Sequence, residues 1–293
     1  MSDSQETVLS DDGDGARTID NAVEHCVAEL RGTGPAMSGS GPATVAGIGT
    51  TAPHALKGAL LLQAMARAGV DLASTVPYDD PAALLADPQW DLALVLSPWK
   101  QTVAAQLDAF TDSASRTGVV DTIIRGASGP IGVNTNSWAA QAAMETVMGG
   151  RAPASVLVLG SGGSSNSVAL GVRRAWPDTR LIGSARNPAA LGEWATRFGA
   201  ASIRPSDLAG HRGVSSSLIV NTTTWGETTA SEESPFMVEI NDLLAPGNGY
   251  FDLNNRISSL QTAALDAGCN VMSGTFMQRV TNACRAALLK ARL

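Results

Sequence analysis

The sequence predicts an α/β protein of two domains, and three observations carry that expectation. Short apolar runs alternate with helix-forming stretches from about residue 43 onward. The run Val156-Leu157-Val158-Leu159 enters Gly160-Ser161-Gly162-Gly163-Ser164-Ser165, and Val168-Ala169-Leu170 follows. That is a strand, a glycine turn and a helix, in the order found in a doubly wound parallel sheet. At 293 residues the chain is also long enough for two sizeable cores.

Residues 1–42 precede the alternation. Asp3, Glu6, Asp11, Asp12 and Asp14 lie among Ser and Gly and predict a disordered acidic tail. Ile19, Val23, Cys26, Val27 and Leu30 recur at helical spacing, so 18–31 reads as an amphipathic helix. A Gly/Ser/Pro-rich linker spans 32–42. The first α/β unit, 43–149, is expected to run strand 44–48, helix 57–68, strand 72–76, short helix 81–86, strand 91–96 and helix 101–113. Two short strands at 119–124 and 131–135 follow, then an Ala-rich helix at 137–148 that ends at the joint Gly149-Gly150. The second unit, 150–255, repeats the pattern with strand 155–159, helix 165–175, strand 180–184, helix 188–197 and strands at 216–220 and 250–253. Helices at 260–267 and 276–291 close the chain. Both sheets are expected to be parallel.

Composition narrows the function classes. The apolar fraction of 44% and charged fraction of 16% are those of an ordinary globular enzyme. A net charge of −7 with no basic block argues against nucleic acid as a partner. The expectation is a cytoplasmic protein with a small-molecule substrate, since no stretch has the apolar length of a membrane helix and the first residues lack a secretion signal. Association into a homodimer stays open. Cys26, Cys269 and Cys284 read as small buried hydrophobes, and neither they nor His25, His54 and His211 have metal-ligand spacing, so no metal is expected.

The glycine turn carries the first chemical reading. Gly160 to Gly163 allow a tight turn and close backbone approach, and the helix behind offers free N–H groups to a pyrophosphate. Such a turn can also serve only to pack a helix on a sheet. The next strand, 180–184, ends at Ser184-Ala185-Arg186, where a protein that binds NAD would place a carboxylate against the ribose. An arginine there can pair with the additional phosphate of NADP, so NADP is the expected cofactor, the alternative being that Arg186 is an ordinary surface cation. Of the 20 basic residues only three are lysine, namely Lys57, Lys100 and Lys290. Lys100 follows a buried-looking strand and the turn Ser97-Pro98-Trp99, a position where α/β proteins build their sites.

The order of these motifs resembles the shikimate dehydrogenase family over about residues 44–290. The lysine of the family's Val-Thr-x-Pro-x-Lys segment falls on Lys100 in Leu96-Ser97-Pro98-Trp99-Lys100, with Leu107-Asp108 downstream. Gly118-Val119-Val120-Asp121-Thr122 aligns with its Gly-Ala-Val-Asn-Thr, and Asn134-Thr135-Asn136 with its Asn-Thr-Asp. Gly160 to Gly163 match the nucleotide loop, Ala185-Arg186-Asn187 the Asn-Arg-Thr segment, and Asn221-Thr222-Thr223-Thr224-Trp225-Gly226 the loop bordering the nicotinamide. The resemblance implies an N-terminal substrate domain, an NADP-binding Rossmann domain of 150–255, and C-terminal helices of 256–293 that return to the first domain. It implies cofactor contacts at Gly160, Ser161, Gly162, Gly163, Ser164, Ser184, Arg186, Asn221, Thr222 and Thr223. Substrate contacts are implied at His54, Lys57, Asn134, Gln278 and Thr281.

The departures concentrate on the substrate. Where the family has Ser-x-Ser after a histidine, this chain has His54-Ala55-Leu56-Lys57. The family's acid is Asn136 here, and its neutral Asn is Asp121; the tyrosine expected near Asp252-Leu253-Asn254-Asn255 is absent. Oxidising a secondary alcohol needs a base for the hydroxyl proton, and a lysine beside a carboxylate can supply it. A relocated pair, Lys100 with Asp121, and Asn136 as a neutral partner, is therefore the catalytic expectation; a purely local role for Asp121 is the alternative. The leading reading is an NADP-dependent dehydrogenase of a small cyclic polyol acid, shikimate- or quinate-like or an analogue. The competing reading is a non-redox, cofactor-binding relative, favoured by Asn136, Ala55 and Thr281. A one-carbon folate dehydrogenase would leave the ordered Lys100, 118–122 and 134–136 segments without a reason.

Overall fold

The computed structural model describes residues 14–33, 41–211 and 217–292. The acidic tail at 1–13 and most of the expected linker lie outside the described residues. The chain opens with α1 (Asp14–Thr33), then β1 (Ala43–Ile48), α2 (Ala52–Ala55), α3 (Ala59–Ala68), β2 (Leu72–Tyr78), α4 (Pro81–Ala86) and β3 (Leu92–Val95). It continues with α5 (Lys100–Ala104), β4 (Ala109–Phe110), α6 (Asp112–Thr117), β5 (Thr122–Gly126), β6 (Gly129–Val133) and α7 (Thr135–Val147). The second half runs β7 (Ser155–Leu159), α8 (Gly163–Ala175), β8 (Arg180–Ser184), α9 (Pro188–Phe198), β9 (Ala201–Ser202), β10 (Leu218–Asn221), β11 (Gly249–Asp252), α10 (Ser259–Asp266), β12 (Asn270–Ser273) and α11 (Gly274–Arg292).

The second sheet has the order β12-β11-β10-β7-β8-β9 with every pair parallel. Numbered within this half, that is the doubly wound order, and its direction reverses between β7 and β10. The first sheet, β2-β1-β3-β5-β6-β4, departs from the expected all-parallel arrangement. β5 runs antiparallel to both β3 and β6, and Gly126 to Gly129 join it to β6 by a hairpin turn rather than a crossover. The helix expected over 101–113 is likewise three elements. Thr111 is extended and its N–H bonds to the carbonyl of Gly132 at 3.0 Å, so pairing with β6 interrupts the helical run. The helix expected from 57 begins only at Ala59, behind an extended Gly58.

One apolar cluster joins the two halves. It runs from Cys26 and Leu30 of α1 through Ala139, Ala143 and Met144 of α7 to Val168 and Val172 of α8, and on to Val156 of β7. α7 is alanine-rich because it is buried on nearly every face. Against it α8 carries Gly171, where a Cβ would lie 3.0 Å from the Gln141 nitrogen, so the two helices cross almost backbone to backbone. The closing segment divides, contrary to the expectation that 256–293 as a whole packs on the first domain. Leu260 and Ala264 of α10, with Cys269, bury against the second sheet, whereas α11 returns to pack on α3, α7 and α1. None of the described helices is long and apolar enough to cross a membrane.

A polar tie anchors α1 to this joint. Arg174 of α8 donates to Glu29 at 2.9 Å and to Ser137 Oγ at 3.0 Å, and its guanidinium lies 3.6 Å from the centre of the Trp138 ring. Ser113 of α6 donates to the other oxygen of Glu29 at 2.6 Å. Burial pushes the Arg174 guanidinium down to about 10 against the opposing pull of Glu29.

Asp252, at the end of β11, links stability to pH. Its carboxylate is fully buried, accepts from the Asn254 N–H at 3.0 Å, and is pushed up to about 6 chiefly by desolvation. The folded protein therefore holds a proton that the unfolded chain releases near pH 4, so this group's stabilisation is present below that pH and lost as pH rises through about 6. Chemical denaturation at pH 4 and pH 7 should show Asp252→Asn gaining stability relative to wild type across that interval, by up to about 3 kcal/mol.

Candidate active site

The nucleotide loop sits at the reversal point of the second sheet. Gly160 has φ +115, and a Cβ there would lie 2.5 Å from Thr222 Oγ1, so only glycine permits the turn. Thr222 in turn donates to the Leu159 carbonyl at 2.7 Å, pinning the β10 loop against the end of β7. Gly162 is exposed and caps α8, leaving the first turn of that helix, Gly163 and Ser164, open as an anion cradle, with Ser161 half-exposed beside it. Asn221 is buried instead of facing a ligand: it accepts from Thr223 and donates to the carbonyl of Trp225.

At the tip of β8 the Ser184 hydroxyl is buried without a hydrogen-bond partner, and Arg186 is exposed. Asn187 caps α9 by accepting from the Ala189 and Ala190 N–H groups. Arg186 and Thr223 share a cavity of about 200 Å³ with Thr224, Ser231 and Glu233. No carboxylate occupies the tip of β8, although Glu233 also lines the cavity; the arginine at that tip, beside hydroxyls, suits a phosphorylated ribose.

A second cleft of about 240 Å³ opens between the first sheet and α11, and it meets the nucleotide loop at Ser164. Lys100, Asn136, Gln278 and Thr281 line it together, as do Thr51, Ala55, Asn255, Asn282 and Arg285, over an apolar wall of Leu94, Leu96, Leu253 and Met277. Lys100 begins α5, and its carbonyl accepts from the Val120 N–H at 3.1 Å, which fixes its backbone to the segment that leads through Asp121 into β5. Its Cβ lies 4.0 Å from where a Cβ of Gly163 would stand, so the lysine and the nucleotide loop adjoin. Burial pushes the Lys100 amine below its ordinary value; Asp121 opposes that shift and Arg285 reinforces it.

Asp121 is fully buried and heavily engaged. One oxygen accepts from Thr122 Oγ1 at 2.8 Å and from both the hydroxyl and the N–H of Thr135; the other accepts from the Asn136 N–H at 2.6 Å. It thus caps α7, whose positive end favours the carboxylate, and it lies 4.0 Å from Arg285. No hydrogen bond joins it to Lys100, so the expected contact pair is an electrostatic one. Asn136 accepts from Thr281 Oγ1 at 3.1 Å, which leaves its amide NH₂ to face the cleft.

Three expected substrate contacts fall elsewhere. His54 and Lys57 are exposed and do not line the cleft, because the short α2 ends at Ala55 and turns them outward; Thr51 and Ala55 face inward instead. Asn134 is a buried cap that accepts from the Ser137 N–H and from Ser167 and donates to Thr117. Sequence reasoning missed Arg285 and Asn282. Gln278, Thr281, Asn282 and Arg285 stand at helical spacing i, i+3, i+4 and i+7 on α11, and that polar stripe was the available signal.

No family model matches the chain. The shikimate dehydrogenase (NADP(+)) of Moorella thermoacetica is 29% identical over 249 residues, spanning 80% of this chain and 83% of that protein. The chain is a divergent relative of the shikimate dehydrogenases. Solved structures share the fold. Shikimate 5-dehydrogenase from Thermus thermophilus, in complex with NADP(H) and shikimate, matches with TM-score 0.69 at 22% identity, over 85% of this chain and 98% of that one. Quinate dehydrogenase from Corynebacterium glutamicum, in complex with NAD, matches with TM-score 0.70 at 19% identity, over 84% and 93%.

Proposed function

We propose that this shikimate dehydrogenase relative is an NADP-dependent dehydrogenase that interconverts a secondary alcohol and a ketone on a small cyclic polyol acid. The observation that carries this reading is the juncture of Lys100 with the first turn of α8, in a cleft that also gathers Asn136, Gln278 and Thr281. The unit of 43–149 with α11 would hold substrate, and the unit around 150–255 would hold cofactor. Gly160 to Ser164 would bind the pyrophosphate through backbone N–H groups, and Arg186 with Thr223 the ribose phosphate. Bound NADP supplies a hydride acceptor for the carbinol carbon. The chain's part is the proton: Lys100, whose charged form burial disfavours, takes it from the substrate hydroxyl when it is the free amine, and Asp121 behind it balances the ammonium that results. Asn136, held by Thr281, donates to the substrate oxygen. Ala55 and the apolar wall support an analogue over shikimate itself, since the hydroxyls that hold a carboxylate in the family are missing.

Following nicotinamide absorbance with NADP and a panel of shikimate, quinate and their amino and deoxy analogues tests the proposal. Turnover on a member of the panel supports it; a folded protein silent across the panel favours the non-redox reading. Arg186→Glu should lower kcat/KM for NADP by about 10- to 100-fold while sparing NAD, since it removes the planar cation and introduces repulsion. Steady-state kinetics with both cofactors reads this directly, and equal losses for the two would exclude Arg186 as the phosphate contact.

A further inference from the structure

We infer that Arg285 is a positioning residue that acts on Lys100 across the shared cleft, working against Asp121 to disfavour the ammonium form. The inference deepens the dehydrogenase reading and takes its catalytic meaning from it. Arg285 is only 5% exposed, yet it lines the cleft. Its Nε donates to Thr122 Oγ1 at 3.0 Å, Nη2 to the Asp121 carbonyl at 3.1 Å and Nη1 to Asn282 Oδ1 at 3.1 Å. The guanidinium is thus fixed on the same two residues, Asp121 and Thr122, that build the buried carboxylate.

The charges around Lys100 are few. Among the described residues lining the cleft, Thr51 ahead of α2, Asn136 on α7, Ser164 on α8, Asn255 beyond β11 and Gln278, Thr281 and Asn282 on α11 are neutral. Lys100 and Arg285 are the cations, and Asp121 is the acid behind them. Two cations against one anion leave a net positive charge, and arginine does not give up its proton. The repulsion falls on the lysine, in the direction that burial also drives it. Asp121 by itself favours an ammonium at Lys100. Arg285 offsets that pull and disfavours the ammonium form.

The test reads Lys100 without turnover. The chain has three lysines, and Lys57 and Lys290 are exposed. Labelling lysine with ¹³C at Cε therefore gives three resonances, and the one lost in Lys100→Met is assigned to Lys100. Titration of the cofactor-free protein should show that midpoint falling in Asp121→Asn, rising in Arg285→Gln, and returning toward wild type in the double variant. A structural role for Arg285 would not move the midpoint in opposition to Asp121. An unmoved or lowered midpoint in folded Arg285→Gln overturns the inference. If that variant does not fold, adding Arg285→Gln to Asp121→Asn must raise the midpoint, and the absence of a rise overturns the inference equally. Because no substrate is present, failure here is distinct from silence in the absorbance assay.

Discussion

Lys100→Met is expected to lower kcat by about 10²- to 10⁴-fold, the usual worth of a positioned proton-transfer group, with folding and cofactor binding retained. Methionine matches the lysine stem in length and removes a cation that burial already disfavours, so the cleft keeps its shape without cost to stability. Rapid kinetics on the variant, with NADP binding followed by tryptophan quenching, separates the lost step from lost binding. A variant that binds NADP normally and turns over at the wild-type rate would remove Lys100 from the mechanism.

The largest expected effect on stability lies far from the cleft. Arg174→Met should destabilise the fold by about 3–5 kcal/mol, the cost of leaving a buried ion unpaired. Glu29 would keep only the Ser113 hydroxyl as a partner, in a site where its side chain is 13% exposed. Replacing Glu29 by Leu in the same chain should recover much of the loss, because the apolar pair removes the stranded charge. Urea unfolding curves of the single and double variants check both statements. The tie matters because α1 lies outside the resemblance to the dehydrogenases, yet it packs on α7 and α11, the helices that carry Asn136 and the cleft stripe.

Much of the second half was legible because its strands are buried on both faces and bounded by turn residues. The strands at 155–159 and 180–184 end where expected, and the glycine loop between β7 and α8 announces itself. The first half was harder to read. The segment from Gln101 to Ser113 has enough helix formers to suggest one helix, and only pairing with the distant Gly132 shows why it breaks at Thr111. The site divides in the same way. Lys100 and the α8 loop stand out locally by rarity and by glycine content. The inward turn of Thr51, the withdrawal of Asn134 into a cap and the approach of Arg285 to Asp121 all depend on where α2, α7 and α11 meet. Asp121 shows the limit most clearly: its place where the family has a neutral Asn suggests a relocated acid, and its hydrogen bonds to Thr135 and Asn136 disclose a helix cap with an electrostatic reach.

The central claim is transfer of hydride between substrate and NADP in this cleft. Its most direct test uses a cyclic polyol acid deuterated at the carbinol carbon, incubated with NADP and the wild-type protein, with the nicotinamide examined by proton NMR. Deuterium at C4 of the reduced nicotinamide, appearing about 10²- to 10⁴-fold more slowly when Lys100→Met replaces wild type, is the predicted result. Recovery of unreduced NADP and fully retained deuterium in every substrate of the panel would contradict it.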